Sequence, residues 1–98
     1  MKNFFSEIDD VTLTFSDVRA TRSGMEYLQI YFERPNSNGF DFLEATLPAL
    51  TVKKSAGFDE EETARLLDYA RTNAFLLWDV AREGGDKLCR KLQDCSVT

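Results

Sequence analysis

Glu26-Tyr27-Leu28-Gln29-Ile30-Tyr31-Phe32-Glu33 decides how the chain reads. Apolar side chains recur at every second position, so Leu28, Ile30 and Phe32 share one face of an extended strand while Tyr27, Gln29 and Tyr31 share the other. The same period runs outward on both sides. Val11-Thr12-Leu13-Thr14-Phe15-Ser16 alternates apolar and hydroxyl residues, which predicts a half-buried strand with Val11, Leu13 and Phe15 on its core face. Between the two strands lies Thr21-Arg22-Ser23-Gly24, whose glycine can take the positive φ of a tight connection, so the strands are expected to be antiparallel neighbours. Downstream, Pro35-Asn36-Ser37-Asn38-Gly39 is a dense turn signal leading into a third strand, Phe40 to Leu47. There the alternation slips. Phe40 and Phe42 mark one face and Leu43, Ala45 and Leu47 the other, which predicts a bulge near Phe42 and Leu43 or burial on both sides. Pro48 has no N–H for a ladder, so it ends the pairing or marks an edge, and Ala49-Leu50-Thr51-Val52 reads as a fourth short strand.

Past Gly57 the period lengthens to 3.6. Asp59 is an N-cap and Glu62, three residues on, completes a capping box, while Asp59-Glu60-Glu61-Glu62 sets four carboxylates at the positive end of a helix dipole. Gly84-Gly85 closes the segment, which predicts one helix over about 60–83, roughly 36 Å long at about 1.5 Å per residue. Leu66, Leu67, Ala70, Ala74, Leu77, Trp78 and Ala81 fall in one stripe wide enough to lie on a sheet. Tyr69, Leu76 and Val80 fall beyond one edge of that stripe and Phe75 beyond the other, more apolar surface than one sheet hides. A cover within the chain is the segment Asp86 to Cys95, where Leu88, Cys89, Leu92 and Cys95 form a short amphipathic stripe. A cover from outside is a second subunit or a partner. The expected fold is therefore α+β: an antiparallel three- or four-stranded meander over about 11–54, one long helix over about 60–83 packed on a face, and a short C-terminal helix over about 86–95.

The 98 residues bound one domain, and 43% hydrophobic with 12% aromatic residues suffice to drive collapse. The chain has no histidine and two cysteines, which removes the commonest general base and the commonest neutral metal ligand. Cys89 and Cys95 stand six apart, matching neither a Cys-x-x-Cys redox pair nor a zinc spacing, and read as reduced, small apolar residues. Ser-His-Asp and Cys-His arrangements are unavailable; Lys53-Lys54-Ser55 is the sole adjacent serine–lysine pair and reads as a solvated strand end. Asp9-Asp10 and Glu60-Glu61-Glu62 supply oxygens that point apart rather than converge on a metal. No glycine-rich phosphate loop is present. These absences predict a chain that is not an enzyme and carries no cofactor or metal. The first ten residues lack the apolar run of a signal peptide, and the longest apolar stretch, Ala74 to Trp78, is far too short for a membrane span, so a cytoplasmic protein without membrane attachment is expected.

A net charge of −5 has the wrong sign for life on phosphate backbones, so direct nucleic-acid binding is not expected. Tyr27 and Tyr31 on the polar strand face are candidate protein contacts, because aromatics are enriched in interface cores. With Tyr69, Phe75, Leu76 and Val80 they make the expected partner-binding set, and a protein partner or a homodimer is the expected companion. A second reading is a nucleic-acid-linked regulator, by DNA mimicry of the acidic body or by base stacking on the Tyr27 and Tyr31 face.

From Leu47 to Gly84 the chain runs as a strand end, then Lys53-x-x-Ala56-Gly57-Phe58, an acidic helix start, and Leu77-Trp78-Asp79-Val80-Ala81-Arg82-Glu83-Gly84. This resembles a family of small uncharacterised bacterial proteins whose strand–helix unit ends in Trp-x-x-Ala-Arg-x-Gly, often encoded in operons that look like toxin–antitoxin pairs. The resemblance rests on Trp78, Ala81, Arg82 and Gly84. It implies a bacterial or phage-borne intracellular origin and a role as antitoxin, inhibitor or operon partner. That family tends to carry histidines in its strands; this chain has none, so no histidine-dependent function comes across.

Overall fold

β4 (Glu26–Asn36) is the centre of the molecule, and the alternation of its side chains sets the two faces of everything beside it. In the computed structural model, which describes residues 2–83, β1 (Asn3–Ile8) and β2 (Val11–Phe15) lie on one side of it with the two-residue β3 (Arg19–Ala20), and β5 (Gly39–Leu47) and β6 (Thr51–Ala56) on the other. The sheet has six strands in the order β1-β2-β4-β5-β6, with β3 pairing the start of β4, and every pairing is antiparallel. Two helices follow, α1 (Glu60–Thr72) and α2 (Ala74–Glu83). Leu13, Phe15, Leu28, Ile30, Phe32, Leu43, Ala45 and Leu47 project from one sheet face and form a single core with Ala70, Leu77, Val80 and Ala81 from the helices. The fold is thus a small single-domain α+β arrangement.

The expected three- or four-stranded meander under one long helix is not what forms, and three local causes account for the difference. First, β1 carries a bulge: Phe4 opposes Thr14 and Ser6 opposes Leu13, leaving Phe5 as an extra residue. Phe5 and Ser6 therefore both face the helices, Phe5 meeting the Phe15 ring edge-on at 6.4 Å and Ser6 reaching α1. That double inward turn erases the period of two by which the strand would be read. Second, β3 is only two residues long, below the reach of any periodicity. Third, the helix breaks at Asn73. Its backbone leaves the helical angles at φ −99°, ψ 10°, while its N–H donates to the Tyr69 carbonyl at 3.0 Å and its side chain adds a second bond to the same oxygen at 2.9 Å.

The irregularity expected near Phe42 and Leu43 lies elsewhere. The β4–β5 ladder runs unbroken from Leu28 opposite Leu47 to Asn36 opposite Gly39. The shift falls on the β5–β6 side, where Glu44 opposes Lys54 and Ala45 opposes Val52, leaving Lys53 as the extra residue. Both outer strands of the sheet thus carry a bulge, a device that discourages edge-to-edge pairing. The short helix expected over about 86–95 lies outside the described residues.

The start of α1 forms as its sequence requires. Asp59 accepts from the Glu62 N–H at 2.7 Å and Glu62 accepts from the Asp59 N–H at 3.2 Å, the two halves of a capping box. The remaining oxygen of Glu62 holds Arg34 of β4 at 2.7 Å, and Arg34 also binds Asp41 of β5, through Nε at 2.8 Å and Nη2 at 2.7 Å. Asn36 donates to the other Asp41 oxygen at 2.7 Å, and the Arg34 guanidinium lies 4.6 Å over the Phe58 ring. One arginine thereby ties the helix start to the far end of the β4–β5 hairpin.

Candidate protein-binding surface

α2 follows α1 after the single residue Asn73. Leu77, Val80 and Ala81, spaced i, i+3 and i+4, are the residues it buries. Val80, expected beyond one edge of the buried stripe, is 0% exposed and belongs to the core. Phe75 lies on the opposite side and is 93% exposed, the most open large apolar side chain among the described residues. Leu76 and Trp78 are half-buried beside the core. With Phe75 they line an open apolar groove whose other bank is Pro48, in the turn between β5 and β6, and Glu26 at the start of β4. Arg82 closes one end, donating to Glu26 at 3.0 Å while its guanidinium lies 5.1 Å from the centre of the Trp78 ring.

The remaining expected contacts do not gather there. Tyr69 points from α1 toward β1 and shares a 3.0 Å hydrogen bond with Ser6. Tyr27 is half-buried opposite Arg19 of β3. Tyr31 is only 9% exposed, and the Lys2 ammonium lies 4.3 Å over its ring while also meeting Glu33 at 3.4 Å. The face on which a base would stack is thus already occupied by a cation. Of the six expected residues, Phe75 and Leu76 come together, and Ala74, Trp78, Asp79, Pro48, Glu26 and Arg82 complete the surface. Trp78 falls inside the apolar stripe and so reads as core, but the Trp78–Arg82 spacing of i, i+4 is a visible sign of a stacked, outward-facing pair.

The acidic pairs have structural work. Asp9 and Asp10 both have positive φ, 53° and 67°, and form the two-residue turn that joins β1 to β2 with matching twist. Among the described residues no group of three or more aspartates, glutamates, histidines or cysteines assembles as a metal site. The marked titration shifts lie on the Arg34 cluster, outside the groove. Hydrogen bonding to Glu62, then to Asp41, holds the Arg34 guanidinium above the usual arginine range. Asp41 is held below the usual carboxylate range by Asn36 and then Arg34, and Glu62 by Arg34 and then the Asp59 backbone. No helix among the described residues is long and apolar enough to cross a membrane. Compared with known protein families, with curated proteins and with solved structures, the chain matches none of them.

Proposed function

We propose that this chain is a non-catalytic, cytoplasmic protein-binding module that meets its partner through the α2 groove. One observation carries the reading: Phe75 stands 93% exposed in a groove that also presents Leu76, Trp78 and Pro48, with the charged Glu26, Asp79 and Arg82 at its borders. Fully burying a phenylalanine side chain is worth about 1.5–3 kcal/mol, so a fold that leaves one open forgoes that stabilisation unless another surface covers it. Tryptophan and arginine beside it are residue types that carry much of the energy at interfaces. The partner that fits presents apolar side chains flanked by basic residues, since the chain as a whole carries a charge of −5 and steers cations toward itself. Such a role agrees with the antitoxin, inhibitor or operon-partner character that the resemblance in the second half implies. The only tryptophan of the chain lines the groove, so its fluorescence reports directly on occupancy.

The test places a photo-crosslinking residue at position 75 in cells that naturally contain the protein, identifies the adduct and purifies that partner. Titration monitored by Trp78 emission should then give saturable binding that Phe75→Ser weakens roughly tenfold or more, a loss of about 1.4 kcal/mol. Equal affinity of the variant overturns the proposal. So does light scattering that finds dimers dissolved by Phe75→Ser, because the occupant is then a second copy of this chain.

A further inference from the structure

The first turns of α1 pack on the sheet without being fully buried there. Of its thirteen residues only Ala70 is buried, and Glu62, Arg65, Leu66 and Tyr69, at i, i+3, i+4 and i+7 on one face, line one cleft. Two polar struts stand at the ends of that face. Arg34 meets Glu62 at 2.7 Å at one end, braced on the Phe58 ring, and Ser6 meets Tyr69 at 3.0 Å at the other. The struts are seven residues apart on α1, about 10 Å along the axis. Between them lies a cleft of about 370 Å³, floored by Val11, Leu13 and Phe32 and roofed by Leu66. The cleft opens to solvent, and its volume falls in the range of roughly 300–1,000 Å³ that ligand pockets commonly occupy.

The chemistry of the lining narrows what fits. The charge on Arg34 is already answered by Asp41 and Glu62. Arg65 keeps its side chain 69% exposed, with its charge in water at the rim, and Asp9 is exposed at the turn. A ligand that carried a charge onto the apolar floor would lose hydration, and the rim charges of Arg65 and Asp9, both exposed to water, repay little of that loss. The Ser6 and Tyr69 hydroxyls satisfy each other with one hydrogen bond, which leaves one O–H hydrogen to offer. We infer that the cleft under α1 binds a small uncharged apolar molecule bearing a single hydrogen-bond acceptor, of the aryl ketone or lactone type, seated between the Arg34–Glu62 and Ser6–Tyr69 struts. This inference rests on other residues than the α2 groove, and neither stands or falls with the other.

Four probes of similar size separate the alternatives by two-dimensional amide NMR on the full chain: acetophenone, ethylbenzene, benzoate and benzylamine. Acetophenone should shift the Ser6, Phe32, Leu66 and Tyr69 amides saturably. It should bind roughly tenfold or more tightly than benzoate or benzylamine, which bring a charge, and more tightly than ethylbenzene, which lacks an acceptor. Leu66→Trp fills the cleft from the helix side and should abolish the shifts; if that variant does not fold, Val11→Phe narrows it from the sheet side and should do the same. Absence of saturable shifts, a charged probe or ethylbenzene binding as well as acetophenone, or undiminished binding in the folded filling variant overturns the inference.

Discussion

Gly57 packs against the Asp41 side chain so closely that a Cβ at position 57 would collide with the carboxylate and lie 2.8 Å from the Asp41 Cβ. Its φ is +93°, in the left-handed region, so the position is closed to other residues both by backbone and by space. Gly57→Ala should therefore push Asp41 away from Arg34 and cost roughly 1–3 kcal/mol in urea unfolding. Gly24 is a control within the same protein: its φ is +89° but nothing stands within 4 Å of where a Cβ would be. Gly24→Ala should cost only the backbone term, about 1 kcal/mol. Equal costs at the two positions would show that the contact with Asp41 contributes nothing.

The same cluster gives the protein an acid limit. Asp41 and Glu62 are both held below the usual carboxylate range in the folded state. A carboxylate with a depressed folded pKa stabilises the fold above its unfolded pKa, about 3.9 for aspartate and 4.3 for glutamate, and that contribution is lost as pH falls through the folded value. Stability followed by thermal melting should decline below about pH 4, and Arg34→Met should flatten that decline by removing a hydrogen bond that depresses each of the two carboxylates. An equally steep decline in Arg34→Met would place the acid sensitivity in other groups.

How far the chain could be read from its residues follows from what each irregularity does to a period. In β2 and β4 nothing interrupts the alternation, so the buried faces Leu13, Phe15 and Leu28, Ile30, Phe32 are plain from spacing alone. In β1 the single extra residue Phe5 sends two neighbours to one side, and the strand vanishes from any search for a period of two. In the helical half, apolar residues keep a 3.6 spacing on both sides of Asn73, so nothing in the pattern marks the break, which is the departure of one residue's backbone from helical angles. The consequence reaches the candidate surface. Phe75 lies far from the centre of the buried stripe, which makes its exposure legible, whereas Val80 sits just past the stripe's edge, where spacing alone does not separate core from surface.

Thr14 is the one described residue with a buried side-chain oxygen that has no hydrogen-bond partner. It sits on the sheet face away from the helices, opposite Phe4 on one side and Tyr31 on the other. Valine keeps the β-branched shape that suits a strand and removes the unmet hydroxyl, whose desolvation costs roughly 1–3 kcal/mol. Thr14→Val should raise unfolding stability by about 1 kcal/mol, read as a higher urea midpoint at unchanged slope. A lower midpoint would mean that the hydroxyl finds a partner in solution.

Phe75 and Leu77 are two residues apart on α2 and bury opposite fractions of themselves, 93% and 0% exposed. That contrast separates a contact surface from a core by thermodynamics alone. Leu77→Ala removes packed side chain from beneath the helix and should cost about 2–5 kcal/mol. Phe75→Ser removes a larger side chain, but one that touches little, and the two residues have similar helix propensities, so its stability should stay within about 0.5 kcal/mol of the parent. Urea titration of both variants, each followed through Trp78 emission and checked by circular dichroism, makes the comparison. A Phe75→Ser cost approaching that of Leu77→Ala would mean that the aromatic ring is held by the protein's own chain, and the α2 groove would lose its claim to be a surface kept open for another molecule.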